Sequence, residues 1–242
     1  MRLLLIRHGD PDYALDSLTE TGKIEAELLS HRIAPQEIAR YYVSTMGRAR
    51  ETAAPTLKLA GREGIERDWL REFSVPIQRP DREEITHIPW DWLPQDWLAE
   101  PLFLDPERWS EPEVFRNSQI REAYDSVTRA FDEVLSEFGY RREGPHYRVE
   151  RQSSETIAFF CHLGVSCVLM SHLMHVSPMV LWHGLAMPPS SVTTIYSEER
   201  RPGTAIFRAS SVGDISHLWA AGREPSFSAR FCETYGNGQR VD

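Results

Sequence analysis

The 242-residue sequence predicts an α/β fold on a mostly parallel sheet, interrupted by a segment rich in proline and tryptophan. Three observations lead there. Short, unbroken apolar runs alternate with helical patterns along the first sixty residues, the rhythm of strands covered on both faces. Two such runs, 3–6 (LLLI) and 156–161 (TIAFFC), lead into a histidine with a glycine close behind: His8-Gly9 and His162-Leu163-Gly164. Between Phe73 and Arg116 the rhythm breaks, and seven of the 16 prolines and four of the seven tryptophans fall there.

Taken in order, residues 3–6 form the first buried strand. Thr19 stands as N-cap to a helix over 20–33. Residues 41–43 read as a second strand, followed by a helix from Arg48 that stops before Gly61. A loop as long as 73–116 is functional or carries short elements of its own, and it is expected to cap something. Ile120, Tyr124, Val127, Phe131, Val134 and Phe138 recur at three- and four-residue steps, one stripe of a helix over 117–138. A basic turn is expected over 140–145, then the strand 156–161 and a helix running to about Met174. Residues 191–196 and 204–209 make a closing strand pair around Arg201-Pro202-Gly203. Glu233–Asp242 reads as a frayed end. The whole of 1–242 is expected to be one domain, with 73–116 as an inserted cap subdomain.

The chain carries 27 Lys and Arg against 36 Asp and Glu, a formal charge of −9. That balance disfavours nucleic acid and anionic membrane surfaces, which require spread positive charge. Cys161, Cys167 and Cys232 form no CxxC pair and suggest no disulfide framework. No stretch has the length of a signal peptide core or a membrane span. A cytoplasmic protein is expected, with a small molecule as partner and a second copy of the chain, in a homodimer, left open.

In open α/β sheets ligands bind beyond the carboxyl ends of the strands. His8 and His162 would meet there if their strands are neighbours. A metal site requires at least a third ligand, and no HxH or HxxxH supplies one beside His8. His172 and His175 lie a helix length away. The expected site therefore has no metal and no cofactor. Cys161 reads as a core thiol and His183-Gly184 as a structural turn.

Arg7-His8-Gly9 after a strand, Leu18-Thr19 with Gly22, STMGRARETA over 44–53 and the late strand-His-x-Gly together resemble the histidine phosphatase superfamily, which includes cofactor-dependent phosphoglycerate mutases and many small-molecule phosphatases. The resemblance spans the chain in order apart from 73–116, and it implies a three-layer αβα sandwich. It makes His8 the phosphorylated nucleophile and Arg7, Arg48 and His162 phosphate ligands. Leu163 stands where the family often has glycine, and it would offer a backbone donor to the phosphate. Glu72 in WLREF matches the proton donor, although Glu51, Asp68, Glu83 and Glu84 are acids in comparable territory. The mutases carry serine and asparagine where this chain has Pro11 and Ala14, and arginine and tyrosine where it has Phe73 and Val75. A metal-independent phosphatase acting on a small phosphate monoester is therefore expected, ahead of a mutase and of a non-catalytic phosphate-binding or scaffold protein. Trp90, Trp92 and Trp97 either select the leaving group or fasten the insertion to the body.

Overall fold

A computed structural model of the chain describes residues 1–80 and 84–226. The expected fray at Glu233–Asp242, the thiol of Cys232 and the alternative acid Glu83 lie outside the described residues. In chain order come β1 (Arg2–Arg7), the ribbon strands β2 (Pro11–Asp12) and β3 (Ser17–Leu18), α1 (Glu20–Ile33), β4 (Arg40–Ser44), α2 (Gly47–Ala60) and β5 (Gly64–Arg67). A second ribbon, β6 (Ile77–Gln78) with β7 (Ile85–Thr86), and the one-turn helix α3 (Pro94–Trp97) precede α4 (Ile120–Glu137). Then follow β8 (Tyr140–Glu143), β9 (His146–Val149), β10 (Thr156–Cys161), α5 (Leu163–Met174), α6 (Pro178–Gly184), β11 (Val192–Arg201), β12 (Thr204–Asp214) and α7 (Ser216–Ala220).

Eight strands join in one sheet, ordered β5-β4-β10-β1-β11-β12-β9-β8. The first four pair in parallel and the rest antiparallel. Following those pairings, only β11 and β9 run against the others. Side chains of successive strand residues point to opposite faces, and β1 shows the consequence. Leu4 and Ile6 pack with Leu29 and Ile33 of α1 and Ala53 of α2 on one face. Leu3 and Leu5 pack with Phe131 and Val134 of α4 and Leu169 of α5 on the other. Helices on both faces of a mixed sheet make the expected αβα sandwich.

The apolar residues of 73–116 do not build a separate core. Trp90, Trp92, Phe103, Trp109 and Phe115 belong to the same buried cluster as Leu3 and Leu5. The turn expected over 140–145 is instead the hairpin β8–β9, and the closing strands β11 and β12 run longer than expected. The strand β5 and the short helices α6 and α7 were not anticipated from sequence. No helix of the described residues is long and apolar enough to cross a membrane.

Candidate active site

The two histidines meet because their strands are parallel neighbours in matched register. Arg7 at the end of β1 pairs with Cys161 at the end of β10. The next residue on each strand is therefore a histidine at the same level beyond the sheet. Their ring centroids are 5.1 Å apart with planes tilted by 57°. His8 is 1% exposed and His162 is fully buried. The His8 amide donates to Cys161 O at 3.0 Å, and Ser190 N donates to His8 O at 2.9 Å, fixing the backbone on two sides.

His8 Nδ1 lies 2.8 Å from Gly9 O. A carbonyl only accepts, so Nδ1 carries the proton and Nε2 keeps its lone pair. Burial holds the His8 pKa well below the usual histidine range, and the charges of Arg7 and Arg48 push it further down. The ring is thus neutral and aimed, as a nitrogen nucleophile requires. Gly9 N donates to Thr52 Oγ1 at 2.9 Å, and Thr52 Oγ1 in turn donates to Arg48 O at 2.7 Å. The GRARETA motif of α2 therefore clamps the loop that carries His8.

His162 is the residue before α5 begins, with extended backbone. Its Nε2 is 2.8 Å from Ser44 Oγ, at the end of β4, while its Nδ1 is buried without a partner. Burial lowers its pKa well below the usual range, and His8, Arg48 and Arg7 add to that. An arriving phosphate would reverse the balance, because an anion favours the charged imidazolium.

Arg7 is buried and donates to Met187 O and to the phenol of Tyr13. Arg48, in the first turn of α2, donates from Nη1 to Asp16 Oδ1 at 2.6 Å. The other oxygen of Asp16 accepts from Gly47 N at 2.7 Å. Met46, the residue before α2, makes no side-chain cap, so Asp16 serves the helix end from a distance of thirty-one residues. Asp16 has φ of +49°, a left-handed conformation that Asp tolerates.

Glu72 closes the site. Its Oε1 accepts from Phe73 N at 2.9 Å and from Val165 N, in the first turn of α5, at 3.2 Å. Burial raises its pKa, against the pull of those amides and of Arg7 and Arg48. Of the alternative acids, Glu51 is engaged with Leu18 N and Asp68 with Thr45 Oγ1. A cavity of about 250 Å³ opens between Arg7, Tyr13, Arg48, Glu72, Ile88, Trp90 and Leu163. Of the expected residues, Arg7, Arg48, Glu72 and Leu163 line this cavity, while the buried rings of His8 and His162 lie beside one another, close enough to Arg7 and Arg48 to feel their charges.

The other expectations sort differently. Trp90 lines the cavity, whereas Trp92 packs on Phe103 and Phe115, and Trp97 stacks on His183 at 4.8 Å. The Trp97 ring thus reaches from the insertion to α6, whereas these ring contacts of Trp92 stay inside 73–116. His183 sits in α6, its Nδ1 on Met179 O and its Nε2 accepting from Trp92 N. Cys161 is buried, with its thiol pushed up to about 12 by burial, the behaviour of a core thiol. Among the described residues no group of three or more His, Cys, Asp or Glu could hold a metal ion. Sequence reasoning did not single out Tyr13, Asp16 or Ser44. Ser44 stood inside a motif already quoted, at the end of the strand beside β10; nothing in the sequence flagged Asp16.

The model of the histidine phosphatase superfamily (branch 1) matches residues 3–208, and the chain belongs to that family. Among curated relatives, a Schizosaccharomyces pombe protein described as a "probable phosphatase" is 41% identical over 68 residues, 24% of this chain and 32% of the relative. A Photorhabdus laumondii protein described as a "probable phosphoglycerate mutase GpmB" is 30% identical over 102 residues, 38% of this chain and 47% of the relative. The chain thus spans less than half the length of either relative. A mycobacterial glucosyl-3-phosphoglycerate phosphatase, solved with VO3, superposes with a TM-score of 0.57 at 19% identity, covering 87% of this chain and 97% of that one. An Entamoeba histolytica phosphoserine phosphatase, solved with phosphoserine, gives 0.57 at 17% identity over 90% and 98%. At those identities the likeness is one of fold.

Proposed function

We propose that the protein hydrolyses a small phosphate monoester through a phosphohistidine on His8, with Glu72 as proton donor and no metal. The observation that supports this reading is an oriented His8 beside His162, within the field of Arg7 and Arg48, two arginines that line one cavity with Glu72. In the first step His8 Nε2 attacks phosphorus, the bond to the ester oxygen breaks, and Glu72 protonates the departing oxygen. In the second, Glu72 takes a proton from water, the water oxygen bonds to phosphorus, and the P–N bond breaks to free His8 and inorganic phosphate. Arg7 and Arg48 present paired N–H groups to the equatorial oxygens, with His162 and the Leu163 amide completing the cradle. Residues 73–116, through Ile88 and Trp90, cap the cavity. A cytoplasmic setting is part of the proposal, supported by the free thiols of Cys161 and Cys167.

The test is hydrolysis of p-nitrophenyl phosphate and of an alkyl phosphate by wild type, His8→Ala and Glu72→Gln. His8→Ala should abolish turnover and acid-labile phosphorylation of the protein. Glu72→Gln should retain far more rate on the nitrophenyl ester, whose leaving group requires no proton, than on the alkyl ester. The profile of kcat/KM against pH should have an acid limb well below the usual histidine range from His8 and an alkaline limb above the usual carboxylate range from Glu72. Full activity of His8→Ala would end the proposal. The relative described as a phosphoglycerate mutase supports a second reading, and robust 3-phosphoglycerate isomerisation primed by a bisphosphate would establish it instead.

A further inference from the structure

We infer that the ester hydrolysed carries a small, uncharged, apolar leaving group of about the size of one aromatic ring; this rests on the phosphatase reading of the same site. The cavity divides chemically. Arg7, Arg48 and Glu72 supply its charged lining, and Tyr13, Ile88, Trp90 and Leu163 the rest among the described residues. On the phosphatase reading both lining guanidinium groups are taken up by the phosphate. A carboxylate on the leaving group would therefore meet Glu72 and hydrocarbon, with no further cation among the described lining residues to compensate its lost water.

The apolar wall is built to hold its shape. Trp90 is buried, with its ring 6.0 Å from that of Trp182 and against the start of α5. Its carbonyl accepts from the buried Arg79 Nη1 at 2.9 Å, and Asp91 O accepts from Nη2 at 2.6 Å. That arginine also lies over Trp92, so the turn bearing Trp90 is fixed from behind. Tyr13, in the same lining, is 61% exposed yet held by its ends. Asp12 Oδ1 accepts from Ala14 N and Leu15 N, and Asp16 ties the loop to α2. The Tyr13 ring stands 5.4 Å from the Arg48 guanidinium. An indole and a phenol in the lining of one cavity suit a flat apolar group. At about 250 Å³ the space falls below the ~300–1,000 Å³ of pockets that take drug-sized ligands. It admits a phosphate with one ring.

The experiment compares benzyl phosphate with phosphoserine and 3-phosphoglycerate, all alkyl esters, so that leaving-group reactivity is matched. The full-length wild type should prefer benzyl phosphate in kcat/KM by at least about tenfold. Trp90→Ala and the exposed Tyr13→Ala should each narrow that preference several-fold, chiefly through KM, and Trp90→Ala should leave inhibition by vanadate within about twofold. A preference for either carboxylated ester, or an unchanged preference in a folded Tyr13→Ala, overturns the inference and leaves the phosphatase reading standing. If no ester turns over and vanadate does not bind, the phosphatase reading fails and takes this inference with it.

Discussion

Replacing Gly164 by alanine tests how tightly the donor acid and the cavity wall are built together. A Cβ at that position would stand 2.3 and 2.4 Å from two ring carbons of Trp90 and 2.7 Å from Glu72 Oε1. Ordinary contact begins near 3.4 Å, so the indole must retreat by about 1 Å. It has little freedom to do so, with Trp182 beside it and Arg79 gripping its carbonyl. Overpacking of this kind destabilises by roughly 1–3 kcal/mol. For a chain of this size that corresponds to a fall in Tm of roughly 2–12 °C. The Glu72 carboxylate is displaced as well, and a shift of about 1 Å in a catalytic group lowers the rate on the order of 10²-fold. Differential scanning calorimetry and kcat/KM on an alkyl phosphate measure the two effects. The double variant Gly164→Ala with Trp90→Ala isolates the clash: its Tm should be no lower than that of Trp90→Ala alone. A Gly164→Ala protein with wild-type Tm and rate would refute the account of this contact.

Burial keeps both His8 and His162 neutral in the fold, whereas in the unfolded chain they titrate near 6.5. Their contribution is complete above that value and is lost as pH falls through it, by up to about 1.4 kcal/mol per pH unit for each ring. Glu72 acts oppositely, its raised pKa favouring the fold at low pH and losing that contribution as pH rises through its folded value. Urea unfolding between pH 7.5 and 5.5 should show the decline, shallower in His8→Gln; an equal slope in the two proteins would contradict it. Asp16→Asn keeps the left-handed backbone but removes the carboxylate that occupies Arg48. Its Tm should fall by the equivalent of about 1 kcal/mol, for the weakened helix start, and inorganic phosphate should inhibit a few-fold more tightly. Weaker phosphate inhibition would show that Asp16 positions Arg48 for the anion and does not compete with it.

The elements legible in the sequence are those whose burial is continuous or strictly periodic. β1, β4 and β10 are buried along nearly their whole length, and α1 is announced by Thr19, whose side chain accepts from Gly22 N. The strand Gly64–Arg67 was hidden because it is a sheet edge that opens on glycine and carries Glu66 and Arg67. The hairpin after α4 buries only Tyr140 and Tyr147, and its arginines and Gly144 read as a turn. For the site, strand-end placement pointed to both histidines, and the family resemblance supplied Arg48 and Glu72. The tryptophans could not be divided in advance, because composition does not say which side of an indole faces a cavity. Asp16 was beyond reach for a similar reason: its partners lie in a helix that begins thirty-one residues later.

The register of β1 against β10 has a consequence for how the protein is made. The largely apolar β1 leaves the ribosome well before its two sheet neighbours, which begin at Thr156 and Val192. At about 5–20 residues per second, Leu3 to Ile6 wait roughly 8–30 s for the first partner to be synthesised. During that interval four aliphatic side chains are a ready substrate for a chaperone, and His8 and His162 come together only once the interval ends.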